Sequence, residues 1–392
     1  MGRAIRFVSA HEVGHTIGLP HNFGSSSAYP VDSIRSKTFT KKFGIAPSIM
    51  DYARFNYIAQ PGDEGVSLVI DVGPYDKYST MWGYKPILNK TAEEEKVILN
   101  KWITERADDL MFRFGSSSID PSSQTEDLGN DAIKASNYGI ANLIRIVPNL
   151  IEWTTEDGEN YDELQYLYGQ VLSQFRRYLG HISTNIGGVY QYYKTSDQEG
   201  AVYTHVEKSH QKNCIKFLNK NLFETPTWMI DKNILDKIQF AGAVDQVRGL
   251  QSSYLNRILD FGRLARVIEN EALNGSEAYS LDELMSDLKN GIFSELKNNS
   301  NIDIYRRNIQ RAFIQRLGYL MKENQNFPSF FRSSSSITRI KVDESDIRSS
   351  TLGVLIDLRR ELNKAQKKYS SNKSVKNHLL YCVGLINNIL KG

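Results

Sequence analysis

Over most of the chain, apolar residues return every three or four positions, the period of one face of a helix. Between Tyr161 and His181 they stand at Leu164, Leu167, Tyr168, Val171, Leu172 and Phe175. Ile302, Tyr305, Ile309, Phe313, Leu317 and Leu320 step in the same way. Ser280-Leu-Asp-Glu283 precedes another such run, Leu284, Leu288 and Ile292, and has the form of a reciprocal N-terminal cap. Leu352 to Tyr369 and Val375 to Leu390 predict a final pair of helices joined by Ser370-Ser-Asn-Lys. Two more helices are expected, over Thr91 to Phe112 and Asp131 to Val147. Ser333 to Ser336 is the clearest low-complexity stretch and reads as a loop.

The first ninety residues follow another pattern. A short helical run over Phe7 to Val13 gives way at Gly24 to a stretch rich in Gly, Ser, Pro and Asp that continues to Gly65. It predicts irregular backbone rather than layered strands. Val66 to Val72 is a brief apolar run, readable as a buried strand or as a covering loop. Helix is expected again from Asp76 through Trp82.

Composition narrows the function classes. The chain has 392 residues, 40% hydrophobic and 24% charged, enough to bury real cores. Its formal net charge of +3 supplies no basic field for nucleic acid. No apolar run approaches the roughly 18 residues that would span a membrane. The two cysteines, Cys214 and Cys382, can pair or stay free and buried.

Three of the seven histidines lie within eleven residues, in His11-Glu-Val-Gly-His15-Thr-Ile-Gly18-Leu-Pro-His21. His11 and His15 are four apart, so a helix sets both imidazoles on one face. Phe7, Val8, Ala10 and Val13 suit a buried helix at this place. Gly18 can take positive φ, end the helix and turn the chain, so that His21 approaches the same point from another side. Three neutral imidazoles fit Zn²⁺ and leave a fourth position for water, as catalytic zinc sites do. Glu12, beside the first ligand, is placed to take a proton from that water and deliver it to a leaving amine. Asp63, Asp71 and Asp76 are candidate partners for the ligand histidines, and each taken singly reads more simply as a turn or helix-cap residue. Glu126, Asp127 and Asp131 form an acidic cluster that could bind a hard cation, and read more simply as an acidic helix start. His181, His205, His210 and His378 have no ligand partners in the pattern and read as surface residues. In Ile186-Gly-Gly-Val-Tyr-Gln-Tyr-Tyr193 the glycines permit a turn, and the tyrosines can line a cleft near the zinc face or, more simply, pack in a core.

The extended histidine motif resembles the signature of the metzincin zinc endopeptidases. Ser48-Ile-Met50-Asp-Tyr52 looks like the methionine turn of that group, with Met50 as the floor of the metal site. Tyr52 matches the position where several metzincins hold a tyrosine near the metal, able to ligate it or to steady an oxyanion. Gly2-Arg-Ala-Ile-Arg-Phe-Val, His21-Asn-Phe23, Asp51 to Asp63, Gly73 to Tyr78 and Trp82-Gly-Tyr84 are similar to bacterial zinc-dependent metalloproteases carrying a Met-zincin domain. The resemblance extends more loosely through Asp127 to Ser136 and Lys216 to Pro226.

It implies a mainly α protein, in which the lower, C-terminal subdomain of a metzincin-type catalytic domain (residues 1–90) is followed by a helical extension (91–155) and a helical C-terminal domain (156–392). It also implies a zinc-dependent endopeptidase acting on peptide or protein substrates in an extracytoplasmic, secreted setting. A metzincin carries an upper subdomain ahead of the active-site helix. With only ten residues before His11, the expectation is the C-terminal part of a larger protease. The alternative expectation is a helical interaction or scaffold module whose metal site is incomplete.

Overall fold

The computed structural model describes residues 2–53, 55–116, 119–298, 300–325, 339–369 and 371–392. The serine run at 333–336 lies outside them. The described residues are mainly α-helical, with one two-stranded sheet. They form two compact units. The first comprises Met1–Pro148, Ser173–Thr184 and Val189–His205, and the second Asn149–Leu172, Asn185–Gly188 and Val206–Gly392.

In the first unit, helix α1 (Gly2–Thr16) opens the chain. Its buried residues are Phe7, His11 and Gly14, spaced four and three apart, so one stripe of the helix faces the core. Val8 and Val13 were expected to be buried with them, but they are about half exposed, as is Ile5. The helical period explains this: a stripe through positions 7, 11 and 14 leaves 5, 8, 12 and 13 on the other side.

After α1 runs the stretch foreseen as irregular from its Gly, Ser, Pro and Asp content; it has no strand among its described residues but does hold two short helices, Val31–Ile34 and Lys37–Phe43. Its core is made of Tyr29, Val31, Ile34, Ile45, Ala46, Ile49, Met50, Ala53, Ile58 and Ile70. With so little regular secondary structure, side chains satisfy much of the backbone. The Asn56 amide donates to the carbonyls of Ile34 and Ser67. The Arg35 guanidinium makes a two-pronged pair with Asp63 at 2.7 and 3.0 Å. Val66 to Val72 is loop rather than strand, with Ile70 alone fully buried.

Helix α2 (Pro74–Tyr84) follows, then α3 (Ala92–Thr104), capped reciprocally by Thr91 and Glu94. The helix expected through Phe112 stops eight residues short, at Thr104. None of the residues of α3 is fully buried, so no core face carries the helix through the polar run Glu105-Arg-Ala-Asp-Asp109. A separate 3₁₀ turn over Leu110–Phe112 starts on the Asp109 side chain. Helix α4 (Ala132–Ile146) is capped by Asp131, whose carboxylate accepts from the Ile133 and Lys134 N–H groups. Strand β1 (Val189–Gln191) pairs antiparallel with β2 (Tyr203–His205), Tyr190 opposite Thr204.

The second unit is helical among its described residues. Its longer helices include Ala243–Ile258, Phe261–Asn274, Leu281–Ile292, Ile304–Lys322, Ile347–Lys368 and Lys373–Leu390. The cap read at Ser280 and Glu283 is formed in both directions. Arg306 and Glu295, each about 5% exposed, pair within this core, and Arg306 also donates to the carbonyls of Gly291 and Ile292. Cys214 and Cys382 are both free and buried.

Two histidine readings need correction. His378 is buried and 2.8 Å from the Gln310 side-chain oxygen, and burial pushes its pKa down to about 3. His181, in the first unit, is buried and bonded to the Thr125 carbonyl. A histidine with a ring nitrogen hydrogen-bonded can sit in a core, and the partners here are too distant in sequence to be read from it.

Candidate metal centre

The i, i+4 spacing on α1 brings the His11 and His15 rings to 4.8 Å between centroids. The helix then closes as a Schellman motif: Gly18 N–H donates to His15 O and Leu19 N–H to Gly14 O, both at 3.0 Å. Gly18 has φ of +86°, in the left-handed region where a side chain would be strained. The turn carries His21 back to the helix, its ring 4.5 Å from His15 and 5.3 Å from His11. Ligand-capable atoms of the three histidines lie within 4.8 Å of one another, and among the described residues this is the group of three or more that could hold a metal ion.

Hydrogen bonds fix which nitrogens are available. His11 Nδ1 is 2.8 Å from Ile49 O, and His15 Nδ1 is 2.9 Å from Leu19 O. A carbonyl only accepts, so in each neutral ring Nδ1 carries the proton and Nε2 keeps its lone pair. His11 Nε2 is buried and has no hydrogen-bond partner among the described residues. The Nε2 atoms of His15 and His21 are 3.0 Å apart. An orphaned buried acceptor beside two more imidazole nitrogens is the donor set zinc prefers, so the residues fit the ion that the motif implies. Burial, followed by the neighbouring His15 and His11, holds the His21 pKa below its usual value, with Glu12 opposing. This favours the neutral, ligand-competent ring.

Met50 packs against the helix that carries His11 and His15, at Gly14. It is fully buried, and its carbonyl accepts from the Asn22 N–H at 3.1 Å, tying the turn to the residue after His21. Gly14 permits the approach from above: a Cβ there would fall 2.3 Å from Met50 Sδ. Glycine in mid-helix normally costs about 1 kcal/mol relative to alanine. Gly14→Ala is nonetheless expected to destabilise the protein by about 1–3 kcal/mol, because the added methyl would displace the buried Met50 side chain. Chemical denaturation checks this, and a stabilised variant would contradict it.

The Ser48–Met50 segment is itself braced by Asp76. Its carboxylate accepts from Ser48 Oγ at 2.6 Å, from Ile49 N–H at 2.7 Å and from Gly73 N–H at 2.7 Å. The last contact is the cap at the start of α2. Asp76 thus serves as a cap and also holds the residue whose carbonyl orients His11. The first role was legible in the spacing, but the second needed the fold. Asp63 instead pairs with Arg35, and Asp71 with Arg3 and Arg6 on the exposed side of α1. The acidic cluster at 126–131 is dispersed: Glu126 pairs with Arg177, Asp131 caps α4, and Asp127 is buried on the Ser26 hydroxyl.

Tyr52 is half buried, its ring 4.7 Å from His21 and 5.1 Å from His11. Phe23, which the sequence reading had not singled out as a site residue, stacks on His21 at 5.2 Å and lies 6.0 Å from Tyr52. Glu12 is exposed, on the side of α1 away from the core.

A family model described as Met-zincin matches residues 1–300, which include every residue of this centre. The chain belongs to the Met-zincin family. Membership places it, at a general level, among the zinc metallopeptidases. No curated protein and no solved structure gave a match. No described helix of this Met-zincin protein is long and apolar enough to cross a membrane.

Proposed function

We propose that this Met-zincin protein is a zinc-dependent endopeptidase in which His11, His15 and His21 hold the metal. The observation that carries the reading is the buried, unpartnered Nε2 of His11, its ring fixed from behind by Ile49, beside the nitrogens of His15 and His21. When bound there, zinc supplies Lewis acidity to a substrate carbonyl and acidifies a water molecule. The remaining work falls to the chain. Glu12 accepts the proton of the attacking water and returns it to the leaving nitrogen, and its exposure leaves it open to both. Tyr52, its ring close to His21 and His11, donates its hydroxyl to the oxygen that gains charge in the tetrahedral state. Met50 and Gly14 keep the ligand helix seated, and Gly18 returns His21 to it. The setting proposed is extracytoplasmic, and the substrates are peptides or unfolded protein segments.

Removal of the metal tests the reading. Elemental analysis of the chain purified without chelator is expected to give about one zinc per chain, the content of a single three-histidine site. Cleavage of a mixed peptide pool, followed by mass spectrometry, should stop with chelator and return with added zinc. A folded chain that holds no zinc, or cleavage indifferent to chelation, would overturn it.

A further inference from the structure

A second concave site lies within the first unit, and none of the three histidines, Glu12 or Tyr52 lines it. Its volume is about 520 Å³, within the range of small-molecule pockets. The wall is built from Ile17 to Pro20, the face of α2, the segment after α3 and the Tyr192-Tyr-Lys194 stretch. Tyr78, Trp82, Phe112 and Tyr192 are among its aromatic lining residues.

The charges on this wall are one-sided. Arg106, Arg113 and Lys194 line it, and no aspartate or glutamate does. Two of these cations are engaged. Arg113 donates to Asp120 at 2.7 Å and Ser122 at 2.6 Å, and Lys194 donates to the Glu199 carbonyl. Arg106 is different. Its guanidinium lies over the rings of Tyr78 and Phe112, at 5.0 and 5.2 Å, and has no carboxylate partner among the described residues. Tyr78 and Phe112 themselves pack edge to face at 5.3 Å. The two rings hold the guanidinium in place by cation–π contact, and its N–H groups, which make no hydrogen bond among the described residues, are left for a bidentate acceptor. The hydroxyl of Tyr78 is likewise buried with no hydrogen-bond partner among the described residues.

We propose that this cavity binds an aromatic carboxylate, its ring against the tyrosine and tryptophan wall and its carboxylate on Arg106. Two sources share that chemistry: a free aromatic acid, and the C-terminal carboxylate of a peptide ending in an aromatic residue. The site does not depend on the metal-centre reading, so it can be tested in its absence.

Isothermal titration of the full chain in excess chelator uses 3-phenylpropionate and its amide, then a tetrapeptide ending in phenylalanine as free acid and as amide. Chelation removes any metal that could itself attract a carboxylate. The acids are expected to bind saturably and at least ~10-fold more tightly than the amides. Arg106→Gln should abolish that difference, Arg106→Lys should keep part of it, and Lys194→Gln should leave it intact. A tighter peptide acid assigns the source as a chain terminus, and a tighter phenylpropionate assigns a free acid. Equal binding of acid and amide, no saturation of either acid, or an Arg106→Gln variant that still discriminates would overturn the assignment.

Discussion

Replacing Glu12 with glutamine is expected to lower peptide hydrolysis by about 10²- to 10⁴-fold, the usual contribution of a positioned general base, while zinc content stays the same. Glutamine keeps the size of the side chain and most of its hydrogen bonding, but a carboxamide cannot take up the proton of the attacking water. Fold and metal binding should be insulated from the change. Glu12 is exposed on α1, whereas Phe7, His11 and Gly14 make that helix's buried contacts. Surface substitutions of this kind usually shift stability by no more than about 0.5 kcal/mol. Rate, zinc per chain and melting temperature therefore need to be measured on one preparation. An unchanged rate with zinc in place would remove Glu12 from the mechanism and the endopeptidase reading with it.

The second large effect is expected at Asp76. Asp76→Ala leaves three donors, Ser48 Oγ–H and the N–H groups of Ile49 and Gly73, without their common acceptor. Burial raises the Asp76 pKa, opposed by those same hydrogen bonds, so part of what the carboxylate contributes is already offset by its own desolvation. The net loss expected is roughly 2–4 kcal/mol, at about 1–3 kcal/mol for each buried group left unpaired. Zinc affinity should fall as well, by about 10- to 100-fold, because Ile49 O, which fixes the His11 ring, is no longer held. Asp76→Asn separates the two effects. Its carboxamide oxygen can still accept from Ile49 or Gly73, so it should recover much of the stability and metal affinity. Metal titration and denaturation of both variants check this. Full zinc affinity in a destabilised Asp76→Ala protein would confine the residue to its capping role.

Much of the site was legible because its parts lie close in sequence. A spacing of four from His11 to His15 dictates a shared helix face, and a glycine three further on dictates the turn that brings back His21. The spacing pattern also named most of the long helices of the second unit, since a stripe that recurs every three or four residues has few other ways to be buried. Failures came where burial depends on what packs opposite. Val8 and Val13 looked like core residues and are exposed, because only one stripe of α1 meets the core. The helix after Thr91 ends at Thr104, where no buried face sustains it. His181 and His378 read from sequence as surface residues but are buried, their partners lying 56 and 68 residues away.

Local chemistry in the chain therefore determined that three histidines converge, that a glutamate stands beside the first of them, and the helical class of the protein. Each depends on spacings of a few residues, which backbone geometry converts directly into positions in space. Tertiary structure alone decided that Gly14 makes room for Met50, that Asp76 braces the turn behind His11, and that Arg106 faces a cavity with no carboxylate beside it. These join segments tens of residues apart, and loop closure brings such segments together through packing that no local pattern encodes.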